Sequence, residues 1–194
     1  MMSNYDMNLF DSFKSIIENE RWLMQLLLDI RKLGLKDWYV AGGAIRNTIW
    51  DVLHGYEKRT PLNDVDLVYF DEGNLNPQKD KLIEHKLRKV HQDVNWEVVN
   101  QARMKERIVD QQGIKVISST TDSISYWSDT STCVGVRLEE DGSLSICAPH
   151  GLGDLMTLKV RPVPRPYTNS DLYKKRMLGK KWKDYWPKLT IELF

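Results

Sequence analysis

A chain of 194 residues, 41% hydrophobic and 28% charged, is long enough for one sizeable core and has the composition of an ordinary globular protein. No apolar run reaches bilayer length, and the start MMSNYDMNLFDSF lacks a basic stretch followed by an apolar one, so the expectation is a cytoplasmic protein without a membrane span. The net charge of +1 hides an asymmetry: residues 159–188 carry 10 Lys/Arg against 2 Asp/Glu, whereas residues 1–158 carry 18 against 24. A basic segment beside an acidic body suits an anionic partner such as a phosphate tail or nucleic acid, and equally a solvated helix face.

In chain order, Phe10, Phe13, Ile17, Leu23, Leu26, Leu27, Ile30 and Leu33 follow helical spacing, which predicts helix over about 7–33, stopped at Gly34. Trp38–Ala41 reads as a short strand, and Gly42-Gly43 as the turn into a helix that carries Ile45, Ile49, Trp50 and Leu53 and ends near Gly55. A strand is predicted at 62–70, a charged helix at 80–90, a strand at 95–102 and a short strand at 114–117. A hairpin, 133–138 with 144–147, follows. A two-residue turn at Asp141-Gly142 would set Cys147 opposite Val136 and not Cys133, so both cysteines read as free buried thiols. The loop APHGLGDL, in which Asp154 is expected to make a cap or turn bond, leads to RPVPRPY, a helix near 171–183 and DYWPKL. Alternating strands and helices ahead of a hairpin predict a mixed α/β or α+β sheet with helices packed on it, within one domain spanning 1–194.

Asp64 and Asp66 carry the chemistry. Residues i and i+2 of a strand share a face, so the two carboxylates point together, with Val65, Leu67 and Val68 packing elsewhere. Burying such a pair without compensation is costly, and a hard divalent cation such as Mg²⁺, or Mn²⁺ in its place, removes the cost. An exposed edge strand is the plainer reading of DxD alone. Gly42-Gly43, opening a helix upstream, suits a bound phosphate, and Arg46 in the first turn adds a fork of donors. Glu97, charged within an otherwise apolar strand, is the candidate third metal ligand, or else a solvent-facing alternation position.

The other polar groups weigh less. His54, His85, His91 and His150 lack metal-site spacing, and the hydroxyls of 118–121 and 128–132 lack the His and acid of a serine hydrolase. Trp127, Trp182 and Trp186 read as packing residues. Tyr173, Arg176, Lys180, Lys181 and Trp182 mix cations with aromatics, a combination that grips nucleotides or single strands.

The order GG, helix, DxD, helix, strand acid resembles the nucleotidyltransferase fold of the DNA polymerase β superfamily. AGGAIRNTIWDVLHG…NDVDLVYFD is similar to the head of tRNA CCA-adding enzymes and bacterial poly(A) polymerases, which carry Asp where this chain has Asn47, and long helical RNA-binding regions for which there is little room here. A family of small stand-alone bacterial nucleotidyltransferase-like proteins resembles the chain more fully, from about 38 to 187. The motifs are DVDLVYFD at 64–71, WEVVNQARM at 96–104 and APHGL at 148–152, with Lys105 where that family often has His. The resemblance implies metal ligation by Asp64, Asp66 and Glu97 and triphosphate contact at Gly42, Gly43 and Arg46. It also implies nucleotide or acceptor contact at Asn100 and Arg103.

Together these readings predict a Mg²⁺-dependent nucleotidyltransferase that moves an NMP unit from an NTP to an acceptor hydroxyl and releases pyrophosphate. The acceptor, whether small molecule, protein or RNA, the base preference and the oligomeric state stay open. The alternatives are a non-catalytic nucleotide- or nucleic-acid-binding module, or a regulatory partner protein, on the same fold.

Overall fold

A computed structural model describes residues 4–104, 109–110, 113–114, 117–164 and 170–193. Its first helical stretch is two helices, α1 (Asn4–Asn19) and α2 (Arg21–Arg31), where the spacing suggested one. The break has a local cause: the Asn19 amide turns back onto the Ser15 carbonyl (2.8 Å), and Glu20, at φ −83° and ψ 88°, leaves the helix. Both helices still bury their predicted faces, Phe13 and Ile17 on one, Leu23, Leu27 and Ile30 on the other.

β1 (Trp38–Ala41) leads into α3 (Gly43–His54), and β2 (Val65–Tyr69) runs back antiparallel to β1. α4 (Gln78–Val90) then crosses over to β3 (Trp96–Asn100), parallel to β2. A 3₁₀ turn, Gln101–Met104, precedes two short strands, β4 (Val109–Asp110) and β5 (Gly113–Ile114), and α5 (Thr120–Ile124). Of the strand expected at 114–117, residues 115–116 lie outside the described residues. The hairpin of β6 (Gly135–Leu138) and β7 (Leu144–Cys147) docks on the free side of β1. The result is one mixed sheet in the order β3-β2-β1-β6-β7.

The hairpin register corrects the expected turn. Leu138 pairs with Leu144 and the Glu139 amide donates to the Ser143 carbonyl (2.8 Å), so the three residues 140–142 span the tip, and Cys147 lies opposite Gly135, one place from the predicted Val136. Gly142 supplies the positive φ of 85° that a three-residue tip requires, and the Asp141 carboxylate accepts the Ser143 amide (2.9 Å). Both cysteines are free and buried, as expected.

The sheet has two unlike faces. Val40, Leu67, Val98 and Val136 share one, pressed against α1 to α4 in the main core. The other carries the row Glu97, Asp66, Ala41, Gly135 and Cys147, set by direct pairing across five strands. Only part of this second face is apolar: Tyr39, Ala41, Val68 and Cys147 pack with Ile124, Cys133 and Val163. Val68 therefore lies on the same face as Asp66, not behind it.

The C-terminal third closes over α3. After α6 (Gly153–Met156), β8 (Lys159–Val160) pairs in parallel with β9 (Thr190–Ile191). The helix expected at 171–183 divides into α7 (Ser170–Lys180) and α8 (Trp182–Tyr185) at Lys181, whose φ is 51°. Asp154 makes a long-range bridge instead of a cap: its Oδ2 accepts from Thr130 Oγ1 (2.6 Å) and Arg161 Nε (2.8 Å). Trp50, fully buried, meets Trp182 and Trp186 edge-on at 5.3 and 5.1 Å, and Trp186 Nε1 donates to Asp51 Oδ1 (2.7 Å). Among the described residues no helix is long and apolar enough to cross a membrane. Replacing Trp50 by Ala removes the centre of this aromatic trio and is expected to cost about 3–5 kcal/mol in urea unfolding; a loss below about 1 kcal/mol would show that the C-terminal helices are not seated through it.

Candidate active site

The parallel pairing of β2 with β3 sets Asp66 beside Glu97 on one face, and the pairing of β1 with β2 sets Ala41 on the other side of Asp66. A small residue there leaves room above the carboxylates. Asp66 is mostly buried, Glu97 exposed, and both open onto a cavity of about 450 Å³ that Val68, Val99, Gln101, Thr132, Trp127 and Arg176 also line. Asp64 stands one residue ahead of β2 and lines a second cavity of about 390 Å³ with Trp22, Arg59, Thr60 and Asn95. Its charge still reaches Asp66. Among the described residues, no three His, Cys, Asp or Glu side chains gather closely enough to hold a metal ion as they stand. Two of the three predicted carboxylates therefore share the cavity, and the third flanks it.

Gly42 is glycine for two reasons. Its φ of 62° and ψ of −120° disfavour any side chain, and a Cβ would come within 2.8 Å of the Trp127 ring and 3.3 Å of Asp66 Oδ2. Its N–H donates to the Val134 carbonyl (2.8 Å), pinning the turn to the residue ahead of β6. The glycine turn thus abuts Asp66, as the motif order implied, with the Trp127 indole against it. Gly43 follows as the first residue of α3, with Leu62 and the Arg46 guanidinium nearby.

Arg46 is 7% exposed. Its Nη1 donates to Thr132 Oγ1 (2.8 Å), its Nε and Nη2 to Asn47 Oδ1 (3.2 and 2.8 Å), and the guanidinium lies 4.3 Å from the Trp182 ring and 5.0 Å from the Trp50 ring. Burial lowers its pKa to about 10, against the pull of Asp129 and Asp66, so it stays charged at neutral pH. Expected as an open phosphate fork, it is an internal cation beside the carboxylates.

Asn100 and Arg103 are not brought to the cavity. Asn100 is two residues from Val98 and shares its face, opposite Glu97. Its side-chain amide donates to the Asp71 and Asn74 carbonyls (2.7 and 3.0 Å), and its oxygen accepts the Asp71 and Ala102 amides. The 3₁₀ turn swings Arg103 onto buried Asp80, which also accepts Tyr69 Oη (2.7 Å). Histidines stay outside the cavity: His54 contacts the Trp50 carbonyl, His91 pairs with Asp29, and His150 contacts the Ser125 carbonyl.

Sequence reasoning passed over the segment that forms the cavity's far wall. Thr120 donates its amide to Asp37 Oδ2 (2.7 Å) and so ties α5 to the loop ahead of β1, placing Ser123, Trp127 and Ser128 above the sheet. Fully buried Asp129 accepts the Thr132 amide (2.9 Å) and Ser128 Oγ (3.0 Å), fixing the turn that presents Thr132 to Arg46. The hydroxyl run at 128–132 was the available signal, and only its position against Gly42 gives it meaning.

This mixed α+β sheet, with paired strand carboxylates beside a glycine turn at a helix start, is the nucleotidyltransferase fold. The sequence matches the nucleotidyltransferase family over residues 29–191, and the chain belongs to that family. An NMR structure said to reveal a CCA-adding enzyme head domain is 30% identical, with a TM-score of 0.78, over 94% of this chain and 95% of that one. Two structures of tRNA-processing enzymes, one apo and one a complex, share the fold at 17% and 19% identity with TM-scores of 0.51; this chain covers 44% and 43% of their lengths. No curated protein matches the sequence.

Burial first, then the charges of Asp64 and Glu97, push the Asp66 carboxyl up to about 7, with Arg46 and Lys180 partly opposing them. An unfolded Asp titrates near 3.8. Between those values the folded chain holds a proton that the unfolded chain has lost, so this residue's contribution to stability is complete at low pH and falls as pH rises towards 7. In EDTA at pH 8, Asp66→Asn is expected to raise Tm by roughly 2–4 °C for each kcal/mol of repulsion removed, with the gain vanishing near pH 4. An unchanged Tm at pH 8 would contradict the electrostatic crowding.

Proposed function

We propose that the protein transfers an NMP unit from a nucleoside triphosphate to an acceptor hydroxyl with the help of a divalent cation, Mg²⁺ or in its place Mn²⁺. The observation that supports this most is Asp66 and Glu97, level on adjacent parallel strands, facing a cavity beside the Gly42 turn. The donor set fits a hard ion, because both groups offer carboxylate oxygen and the pair is short of positive charge. Asp66 and Glu97 would hold the ion, with Asp64 as the flanking ligand. When bound, it would supply neutralisation of phosphate charge and a fixed place for the reacting phosphate.

The rest falls to the chain's own groups. Arg46, locked by Asn47 and Thr132, keeps a permanent positive charge next to Asp66 without reorganising. Val68, Val99 and the Trp127 ring give the cavity an apolar wall suited to a base or ribose and exclude water from the reacting bond. In the transfer, a bond forms from the acceptor oxygen to the α-phosphorus while the bond to the α,β-bridging oxygen breaks. Pyrophosphate takes the electron pair, and the hydroxyl proton passes to the carboxylate pair.

Incubation with α-labelled NTPs, Mg²⁺ or Mn²⁺, and a cell extract is expected to label an acceptor. Asp66→Asn and Glu97→Gln should each lower the rate by about 10²-fold or more. Labelling at the wild-type rate by the double variant would sink the assignment. Nucleotide binding without label in the wild type would favour the non-catalytic module.

A further inference from the structure

We propose that Arg176 and Lys180, one turn apart on α7, form the subsite for the β- and γ-phosphates of the incoming nucleotide. The inference rests on the nucleotidyl-transfer reading and supplies a part that the glycine turn and Arg46 leave open. Arg46 is tied at all three guanidinium nitrogens to Asn47 and Thr132 against the Trp182 ring, 7% exposed, and Gly42 gives its amide to Val134. A triphosphate whose α-phosphorus lies by Asp66 therefore needs positive charge from another element.

α7 is placed to give it. The helix buries Tyr173 and Met177, and residues at spacings of three and four share a face, so Arg176 and Lys180 lie along the edge of that buried stripe. Arg176 reaches the cavity wall alongside Asp66, Glu97 and Thr132. Lys180 is fixed from its other side: two residues on, Trp182 is clamped between Arg46 and Trp50. The charges of Arg176, Arg46, Asp64 and Asp129 all act on Lys180, which puts it in the same neighbourhood.

Neither side chain has a hydrogen bond or ion pair with a described residue, unlike Arg46, Arg103, Arg137 and Arg161. Two cations held near each other and near Arg46 repel, and a polyanion between them relieves that repulsion. Arg176 offers the planar fork that matches phosphate oxygens, and Lys180 a point charge for the terminal group. Since pyrophosphate gains charge as it leaves, the same pair would stabilise the departing group as well as bind the substrate.

Removing any two cations weakens anion binding to some degree, and α7 provides its own control in Lys174 and Lys175, which neither line the cavity nor act on Asp66, Arg46 or Lys180. Calorimetry with Ca²⁺ would compare tripolyphosphate and each of the four NTP and NMP pairs on wild type, Arg176→Gln/Lys180→Gln and Lys174→Gln/Lys175→Gln, after confirming equal Tm. The expected result is about tenfold or more weaker binding of NTP and tripolyphosphate by the first double variant, the scale of lost charged hydrogen bonds, with NMP binding within about twofold. The Lys174/Lys175 variant should bind all of them within about twofold of wild type. Equal losses in the two double variants, or wild-type NTP affinity after Arg176→Gln/Lys180→Gln, would overturn the subsite while leaving nucleotidyl transfer intact. If wild type binds no NTP, the transfer reading fails and the subsite with it.

Discussion

Asp66 and Glu97 repel each other, and the parallel pairing of β2 with β3 holds them side by side at a strand spacing of about 4.8 Å. Backbone hydrogen bonds on both strands, and a main core pressed against the opposite face, prevent either residue from moving to relieve that repulsion. Burial raises its cost on Asp66 in particular. Much of the surroundings reads as a response to that fixed negative charge. Arg46 is buried next to it, Asp129 braces the turn that holds Arg46 through Thr132, and Lys180 adds a weaker opposing charge. A fold that bound nothing here would be better off with an uncharged residue at position 66. The standing cost is the physical reason to expect a cation and a phosphate ligand at this point on the sheet.

Arg46 also ties the site to the C-terminal third. Its guanidinium is stacked by Trp182, Trp182 packs on Trp50, and Trp186 bonds Asp51 one residue further along α3. The start of α3 thus carries the glycine turn and Arg46, while its later turns seat the helices that bring Arg176 to the cavity wall and Lys180 within reach of Arg46 and Asp66. One helix positions both the carboxylate side and the cationic side. Disturbing Trp50 or Trp182 would therefore shift Arg46 and α7 without touching a carboxylate.

Much of this was legible in the sequence. Two-residue periodicity put Asp66 on a polar face, and the charge of Glu97 in an apolar strand marked it as a partner, while their side-by-side placement comes from the parallel pairing of β2 with β3. The family resemblance added the reaction class. Errors came where short-range patterns meet long-range contacts. Asp64 fell just outside β2 because the strand begins where the Val65 amide meets the carbonyl of Asn95 (2.8 Å), the residue ahead of β3 and distant in sequence. Asn100 shares a motif with Glu97, yet three residues of strand place it on the opposite face. Trp127 and Thr132 gave little signal, since their role depends on β6 docking beside β1 and bringing the preceding turn against Gly42. Arg176 and Lys180 stood out with Tyr173, Lys181 and Trp182 as a cation–aromatic group suited to nucleotides, but composition does not say which side of a helix faces a cavity.

The most direct measurement is a crystal structure with Mn²⁺ and a non-hydrolysable NTP, read by anomalous scattering. The expected result is a manganese peak bound by Asp66 and Glu97, with the triphosphate running from the Gly42 turn towards Arg176. A peak away from both carboxylates, or a nucleotide bound with its phosphates outside this cavity, would contradict the assignment of this face of the sheet as the place where nucleotidyl transfer occurs.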